Sequence, residues 1–212
     1  MISNEKLCSS RDLIRLLARV GIFGALAAIF YIVPFLKFPM PMFAGFLEVN
    51  FSDTIALISG FAFGPLAGAL VQVVKILIKL PFSSTAMVGE LADLLLGILF
   101  VVPAAIYYRL HKTKKGAVQA LLVASLVHLA FAAVLNYFIL TPFYVQFYFG
   151  GDAEPLIAWI ASTNPNVSDL GWTYILWAIL PFNAFRNVLI SAVTFVLYKR
   201  LHNVIRRISF LG

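Results

Sequence analysis

Apolar stretches at residues 13–36, 54–63, 65–80, 86–108, 117–140 and 172–201 fill most of this chain, and its lysines and arginines gather at their ends. A helix needs about 20 apolar residues to cross the hydrocarbon core of a bilayer. Inside that core every backbone N–H and C=O must be satisfied within the segment, which leaves the helix as the natural form for such stretches. The second stretch, 54–63, is too short to span unless it tilts into a partial crossing or borrows residues from its flanks. With 62% hydrophobic and only 12% charged residues, the chain also lacks the polar surface to solvate a globular body. The expectation is an all-α integral membrane protein, a six-transmembrane-helix bundle forming one membrane domain over 1–212. Within it, 1–12 is an N-terminal segment, 13–202 the bundle and 203–212 a basic tail.

Charge sets the orientation. An even number of crossings puts both termini on one side, and Lys6, Arg11, Arg15, Arg19, Arg109, Lys112, Lys114, Lys115, Lys199, Arg200, Arg206 and Arg207 all fall there. Basic residues in short loops mark the cytoplasmic face, so both termini are expected in the cytoplasm. Glu48, Asp152, Glu154 and Asp169 lie opposite, with Lys37 the main basic exception. The net charge of +7 therefore belongs to headgroups and cytoplasmic loops rather than to nucleic acid. Cys8 is the single cysteine, so no disulfide forms within the chain. The first apolar stretch is long enough to be retained in the bilayer, with no small-residue cleavage site after it.

Two connections stand out. Residues 37–50 hold Pro39, Pro41 and Gly45 just after Pro34, which opposes a helix, yet carry Phe38, Met40, Met42, Phe43 and Phe46. This segment is either a lid over the bundle or a loop resting in the headgroups. Residues 150–171 form the other, with a short surface helix expected near 155–162. Gly60, Gly64 and Pro65 mark a tight connection between the second and third stretches. The aromatic run Phe143, Tyr144, Phe147, Tyr148 and Phe149, with Trp159, Trp172 and Trp177, reads as an interfacial belt at headgroup depth.

Ionisable groups within apolar segments are costly, about 2.5–3.5 kcal/mol each near the bilayer centre on insertion scales, and ask for a reason. Gln72, Lys75 and Lys79 share one face of the third helix, and Glu90 and Asp93 share one face of the fourth. Either Lys75 and Lys79 pair with Asp53, Glu90 or Asp93 to hold helices together, or Gln72 and Lys75 face a cavity. Asn136 offers a donor and an acceptor side by side, suited to an amide or imide edge of a ligand or to a neighbouring helix. His128 lacks a second ligand at metal spacing and reads as a satisfied core histidine. Pro181, Asn183 and Arg186 interrupt the last helix, where proline frees carbonyls that a cavity or a side chain must re-satisfy. No P-loop, H-E-x-x-H, G-x-S-x-G or Cys/His cluster is present, so the chain is not expected to be an enzyme, to hold a metal or to bind ATP itself. Gly21 and Ala25, and Gly24 and Ala28, form overlapping small-xxx-small pairs that suit close helix approach, within the bundle or with a partner.

The strings Glu48-Val-Asn-Phe-Ser-Asp-Thr-Ile-Ala-Leu57, Gly60-Phe-Ala-Phe-Gly-Pro-Leu-Ala-Gly68 and Ser83-Ser-Thr-Ala-Met-Val-Gly-Glu-Leu-Ala92 resemble the riboflavin-specific S components of energy-coupling factor transporters. Asn136-Tyr-Phe, Pro181-Phe-Asn and Leu197-Tyr-Lys-Arg200 fit the same pattern. The resemblance implies a multi-pass subunit of the bacterial cell membrane that captures riboflavin from outside beneath the first extracellular loop. It would deliver the vitamin with a membrane coupling subunit and two cytoplasmic ATPases, which alone bind ATP. Asn136 is then expected at the imide edge, Arg186 at a carbonyl oxygen, Gln72 and Lys75 at the ribityl hydroxyls with Asn183 nearby, and Phe38, Met42, Phe43 and Phe46 over the ring. Small residues of the first helix, Gly21, Gly24, Ala25 and Ala28, would dock the coupling subunit. Departures from the family pattern at Gln72, Ile76, Asp93 and Arg186 leave open an S component for another vitamin or a flavin analogue. A self-sufficient proton-coupled carrier using Lys75, Lys79, Glu90 and Asp93 is the rival class.

Overall fold

A computed structural model describes residues 10–40, 42–43, 47–83 and 85–210; the side chains of Lys199 and of 201–210 are outside the description. Among the described residues, five helical segments are long and apolar enough to cross a membrane: Ser10–Ile32, Pro65–Phe82, Val88–Leu110, Lys114–Phe149 and Trp172–Tyr198. Ser52–Phe63 is apolar but short. The elements in order are α1 (Ser10–Ile32), β1 (Lys37–Pro39), β2 (Glu48–Asn50), α2 (Ser52–Phe63), α3 (Pro65–Lys79), α4 (Val88–Leu110) and α5 (Lys114–Leu135). After α5 come α6 (Thr141–Phe149), α7 (Glu154–Thr163), the single turn α8 (Trp172–Tyr174) and α9 (Leu180–Phe210).

Proline and glycine set the boundaries. Pro34 enters a short 3₁₀ turn, Pro34–Leu36, which ends α1 four residues earlier than its apolar stretch suggested. Gly64, at φ +100°, is the whole connection between α2 and α3, and Pro65 opens α3 without needing an N–H partner. The two helices then run side by side because Gly68 lacks a side chain: a Cβ there would meet Ala56 O at 3.2 Å and Val101 Cγ1 at 2.6 Å. The core centres on α2, which is buried from Ser52 through Phe61. It packs with Val71 of α3, Phe100 and Ala104 of α4, Ala120 and Ala124 of α5 and Ile190 of α9.

Two features differ from the sequence expectation. The all-α class gains a small sheet at the first connection, read as non-helical from its prolines, where Lys37–Pro39 and Glu48–Asn50 pair as an antiparallel hairpin with Phe38 opposite Val49. Its prolines and glycine oppose helix, and strand pairing satisfies part of its backbone. The fifth helical stretch also runs past residue 140 to Phe149, despite Pro142. A π-helical segment, Asn136–Leu140, precedes that proline, and a second, Ile175–Ile179, precedes Pro181. Each wider turn absorbs the missing N–H and the ring clash that proline brings. Pro181 leaves the carbonyl of Trp177 without its helical donor, and Asn164, which follows α7, supplies one through Nδ2 at 2.8 Å. The surface helix expected near 155–162 is α7, anchored by buried Leu156 and Ile160.

The small-residue stripe of α1 divides between two faces. Gly24 and Ala28 are buried, and a Cβ on Gly24 would meet Val74 of α3 at 2.5 Å, so this pair packs inside the bundle. The expectation that Gly24 and Ala28 dock a partner is corrected accordingly. Gly21 and Ala25 face outward, and nothing lies within 4 Å of a Cβ on Gly21. Gly24→Leu should cost about 1–3 kcal/mol through overpacking and lower the melting temperature of the detergent-solubilised protein by several degrees, while Gly21→Leu leaves it unchanged. Equal responses of the two variants would contradict this packing.

Candidate ligand-binding site

The site is built on a carboxylate that the bilayer would not tolerate alone. Asp53 lies in the first turn of α2 and is fully buried, 0% exposed. Each oxygen is occupied: Oδ1 accepts from Gln72 Nε2 at 2.8 Å and from Lys75 Nζ at 3.0 Å, and Oδ2 accepts from a terminal nitrogen of Arg186. Lys75, also 0% exposed, reaches Asp93 Oδ2 at 2.7 Å and Ser52 Oγ at 3.3 Å, while Arg186 lies 3.5 Å from Asp93 Oδ1. Two acids and two bases from α2, α3, α4 and α9 thus form one neutral cluster. Burying such charges costs several kcal/mol per ion and is tolerable only when every group is paired. Spacing explains the assembly. Gln72 and Lys75 sit three apart on one face of α3, and Gly97 of α4 leaves room for the Gln72 amide, which lies 2.7 Å from where a Cβ would be.

A cavity of about 690 Å³ opens above this cluster. Its floor carries Asp93, His128 and Arg186; its walls are aromatic and apolar, with Tyr31, Tyr144, Tyr174, Phe182, Leu96 and Ile179; and its mouth takes Lys37, Leu47, Glu48 and Asn50 from the hairpin. The volume lies within the range of small-molecule sites, which combine apolar walls with a few placed polar groups. Charged residues of the lining balance, with Lys37, Lys79 and Arg186 against Glu48, Glu90 and Asp93. Most are already paired: Lys37 with Glu48 at 3.2 Å, Lys79 with the carbonyl of Phe82 at 2.7 Å, and Glu90 with the hydroxyls of Ser83 and Thr85 at 2.7 and 2.6 Å. Lys37, Lys75 and Lys79 also surround the Tyr31 ring, within 4.9–6.0 Å of its centroid. Such a chamber suits an uncharged ligand with a flat ring and several hydrogen-bonding groups.

Both π-helical segments border the chamber. Asn136 opens the first, lines the cavity and donates through Nδ2 to Ala132 O at 2.8 Å. Asn183 follows the second, lines the same cavity and donates through Nδ2 to Ile179 O at 2.9 Å. Each amide is fixed by its own helix, and an anchored amide leaves its oxygen as an oriented acceptor.

The sequence-predicted residues are sorted by this geometry. Asn136, Asn183 and Arg186 come together on the lining. Gln72 and Lys75 do not; both are fully buried and bind Asp53, so the expectation that they face ribityl hydroxyls gives way to the ion-pair alternative, since an unpaired Asp53 carboxylate would cost more than any ligand contact offers. Of the hairpin-side rings, Phe43 meets Phe182 at 5.9 Å and Phe185 at 6.2 Å, touching the cavity wall from outside. Phe38 packs on Phe51 and is half exposed, Met42 is exposed, and Phe46 lies outside the described residues. His128 is buried with partners, as read, and also lies on the floor. Sequence reasoning missed Tyr31, Tyr144 and Tyr174 as wall residues, since an aromatic at helical spacing looks the same whether it meets lipid or a chamber. Asn187, one turn after Asn183, was the recoverable omission, because a second asparagine on one face of an apolar helix needs a partner.

Residues 15–198 match the family described as "ECF transporter, substrate-specific component". The chain is 34% identical over 183 residues to the riboflavin transporter RibU of Staphylococcus aureus (strain TCH60), covering 86% of this chain and 89% of that protein. It is 27% identical over 187 residues to the riboflavin transporter FmnP of Bacillus subtilis (strain 168), covering 86% and 91%. A solved structure, described as the S component of a bacterial ECF transporter, superposes with a TM-score of 0.71 at 29% identity, covering 91% of this chain and 98% of that one.

Asp53→Asn removes the charge that balances Lys75 and Arg186 and should cost about 3–5 kcal/mol, seen as a large drop in melting temperature or in yield of monodisperse protein. Gln72→Met removes one uncharged donor to the carboxylate while leaving the charge balance intact, and should cost about 1.5–3 kcal/mol. Similar melting curves for the two would contradict the cluster's role.

Proposed function

The chain belongs to the substrate-specific components of ECF transporters, and from that premise we propose that it is the riboflavin-binding subunit of an ATP-driven importer. The observation that carries the reading is the charge-balanced, aromatic-walled cavity with two anchored asparagines and one arginine converging on it. A flavin is an uncharged fused ring system with one uracil-like edge and a hydroxylated tail. Its imide edge presents a donor between two carbonyl acceptors, a pattern that one amide and a guanidinium complement. In this reading Asn136 meets the imide, Arg186 donates to a carbonyl oxygen, Asn183 lies beside them, and Tyr31, Tyr144 and Phe182 flank the ring. Thr85, Glu90 and Thr141 are then the polar lining residues available to the tail, in place of Gln72 and Lys75.

The remaining family features follow as parts of the same proposal. Six crossings, with Ser52–Phe63 as the short second one, place both termini in the cytoplasm. Residues 1–12 and 203–212 lie there as well, and the hairpin is on the outer face, where it caps the chamber. Energy comes from a membrane coupling subunit and two cytoplasmic ATPases, since the chain carries no nucleotide-binding motif. The outward pair Gly21 and Ala25, amid exposed Leu17, Ile22, Leu26 and Ile29 on α1, is the part of the small-residue stripe available to the coupling subunit.

Riboflavin added to the detergent-purified protein should lose its fluorescence with saturable one-to-one stoichiometry. Asn136→Ala should weaken binding by about tenfold or more, the value of one or two ligand hydrogen bonds, without lowering the melting temperature. Absence of quenching at micromolar protein, or unchanged affinity in Asn136→Ala, would overturn the assignment.

A further inference from the structure

Arg186 is held from two directions, and the second holder is a residue the proposed function does not use. Its NH2 nitrogen donates to Asp53. Its NH1 nitrogen lies 3.4 Å from Nε2 of His128, fifty-eight residues earlier on α5. A guanidinium has only donors, so Nε2 is the acceptor and carries no proton. The proton of a neutral imidazole then resides on Nδ1, which faces the side-chain amide of Asn187 at 3.2 Å. An Nδ1–H needs an acceptor, and Asn187 has one in its side-chain oxygen, which has no partner when the nitrogen is turned to the ring. Oxygen and nitrogen of an amide occupy nearly the same shape, so rotating the amide end for end gives the ring N–H and the amide oxygen to each other. The ring is further fixed by Phe100, whose centroid lies 5.5 Å away at 58°. His128, Asn187 and Phe100 are all 1% exposed or less.

We infer that His128 is a positioning residue for ligand recognition: in its Nδ1–H tautomer, set by Asn187, it accepts a hydrogen bond from Arg186 and aims the guanidinium at the ligand. The inference rests on the reading that Arg186 faces the flavin, and it accounts for a feature of the chain that charge pairing alone does not. Both carboxylates, Asp53 and the more distant Asp93 at 3.5 Å, meet the same NH2 nitrogen of the planar fork, and neither holds NH1. A contact at NH1 fixes the plane of a guanidinium that lines the chamber, where a ligand carbonyl can take an N–H left over from these contacts. A lysine has no second nitrogen to be held this way, so arginine and His128 are useful only together.

The test combines binding with a direct view of the ring. His128→Phe keeps the packing against Phe100 and removes the acceptor; it should weaken riboflavin binding about tenfold, the worth of a hydrogen bond involving a charged group. His128→Gln, which offers an amide oxygen, should recover most of that loss. In an Arg186→Lys background, where the fork is absent, His128→Phe should change affinity less than twofold. Equal losses in both backgrounds, no loss in either, or no recovery with Gln would overturn the assignment. Nitrogen-15 NMR of the histidine rings in ligand-free protein should show one histidine locked as the Nδ1–H tautomer and released in Asn187→Leu. An Nε2–H tautomer would overturn the inference whatever the ligand. If the unaltered protein binds no riboflavin, the functional reading falls, and the tautomer measurement still decides the role of His128.

Discussion

The pairing of Asp53 with Lys75, Gln72 and Arg186 is the interaction on which the other features of this protein depend. A carboxylate 0% exposed within an apolar bundle must be neutralised on the spot, and the partners come from α3 and α9 with Asp93 of α4 completing the set. The cluster therefore fixes four helices relative to one another more strictly than apolar packing does, since apolar contacts tolerate sliding and directed, charge-assisted hydrogen bonds do not. It also closes the chamber from below. The floor of the cavity is polar because the cluster's outermost members, Asp93 and Arg186, form it.

Above that floor, the two interrupted helices do complementary work. Pro142 and Pro181 would each break a regular α-helix, and the wider turns before them let the chain continue while turning Asn136 and Asn183 toward the same space. Those asparagines are tied to carbonyls of their own helices, and Asn164 covers the carbonyl that Pro181 leaves open. Irregular backbone at membrane depth is tolerated only where protein or a cavity covers it, so the irregularity and the binding site have one physical origin. The hairpin supplies the remaining wall, with Lys37 and Glu48 paired across it.

Much of this was readable in the residues. The helices, the tight turn at Gly64, the surface helix α7 and the inward placement of Asn136, Asn183 and Arg186 follow from apolar length, proline and glycine, and the cost of buried polarity. The run through Pro142 was not readable, because proline ordinarily ends a helix and nothing in the residues before it marks the compensating π turn. Nor was the choice between Gln72 and Lys75 as cavity walls or as partners of Asp53. Spacing puts both on one face, but only the position of α2 decides what that face meets. The α1 stripe failed for the same reason: Gly21, Gly24, Ala25 and Ala28 form two overlapping pairs, and Val74 of α3 makes one of them internal. The aromatic residues of the chamber were indistinguishable from an interfacial belt until Trp159, Tyr144 and Tyr148 could be seen lining it.

The central claim is that a neutral ion cluster forms the floor of the chamber proposed to hold a flavin and presents Arg186 to the ligand. An experimental structure of the protein purified with riboflavin tests it most directly. The account predicts the ring between the hairpin and Asp93, its imide edge at Asn136 and Arg186, with Arg186 still bonded to Asp53. A flavin seated elsewhere, or an Arg186 that leaves Asp53 to bind it, would contradict the account.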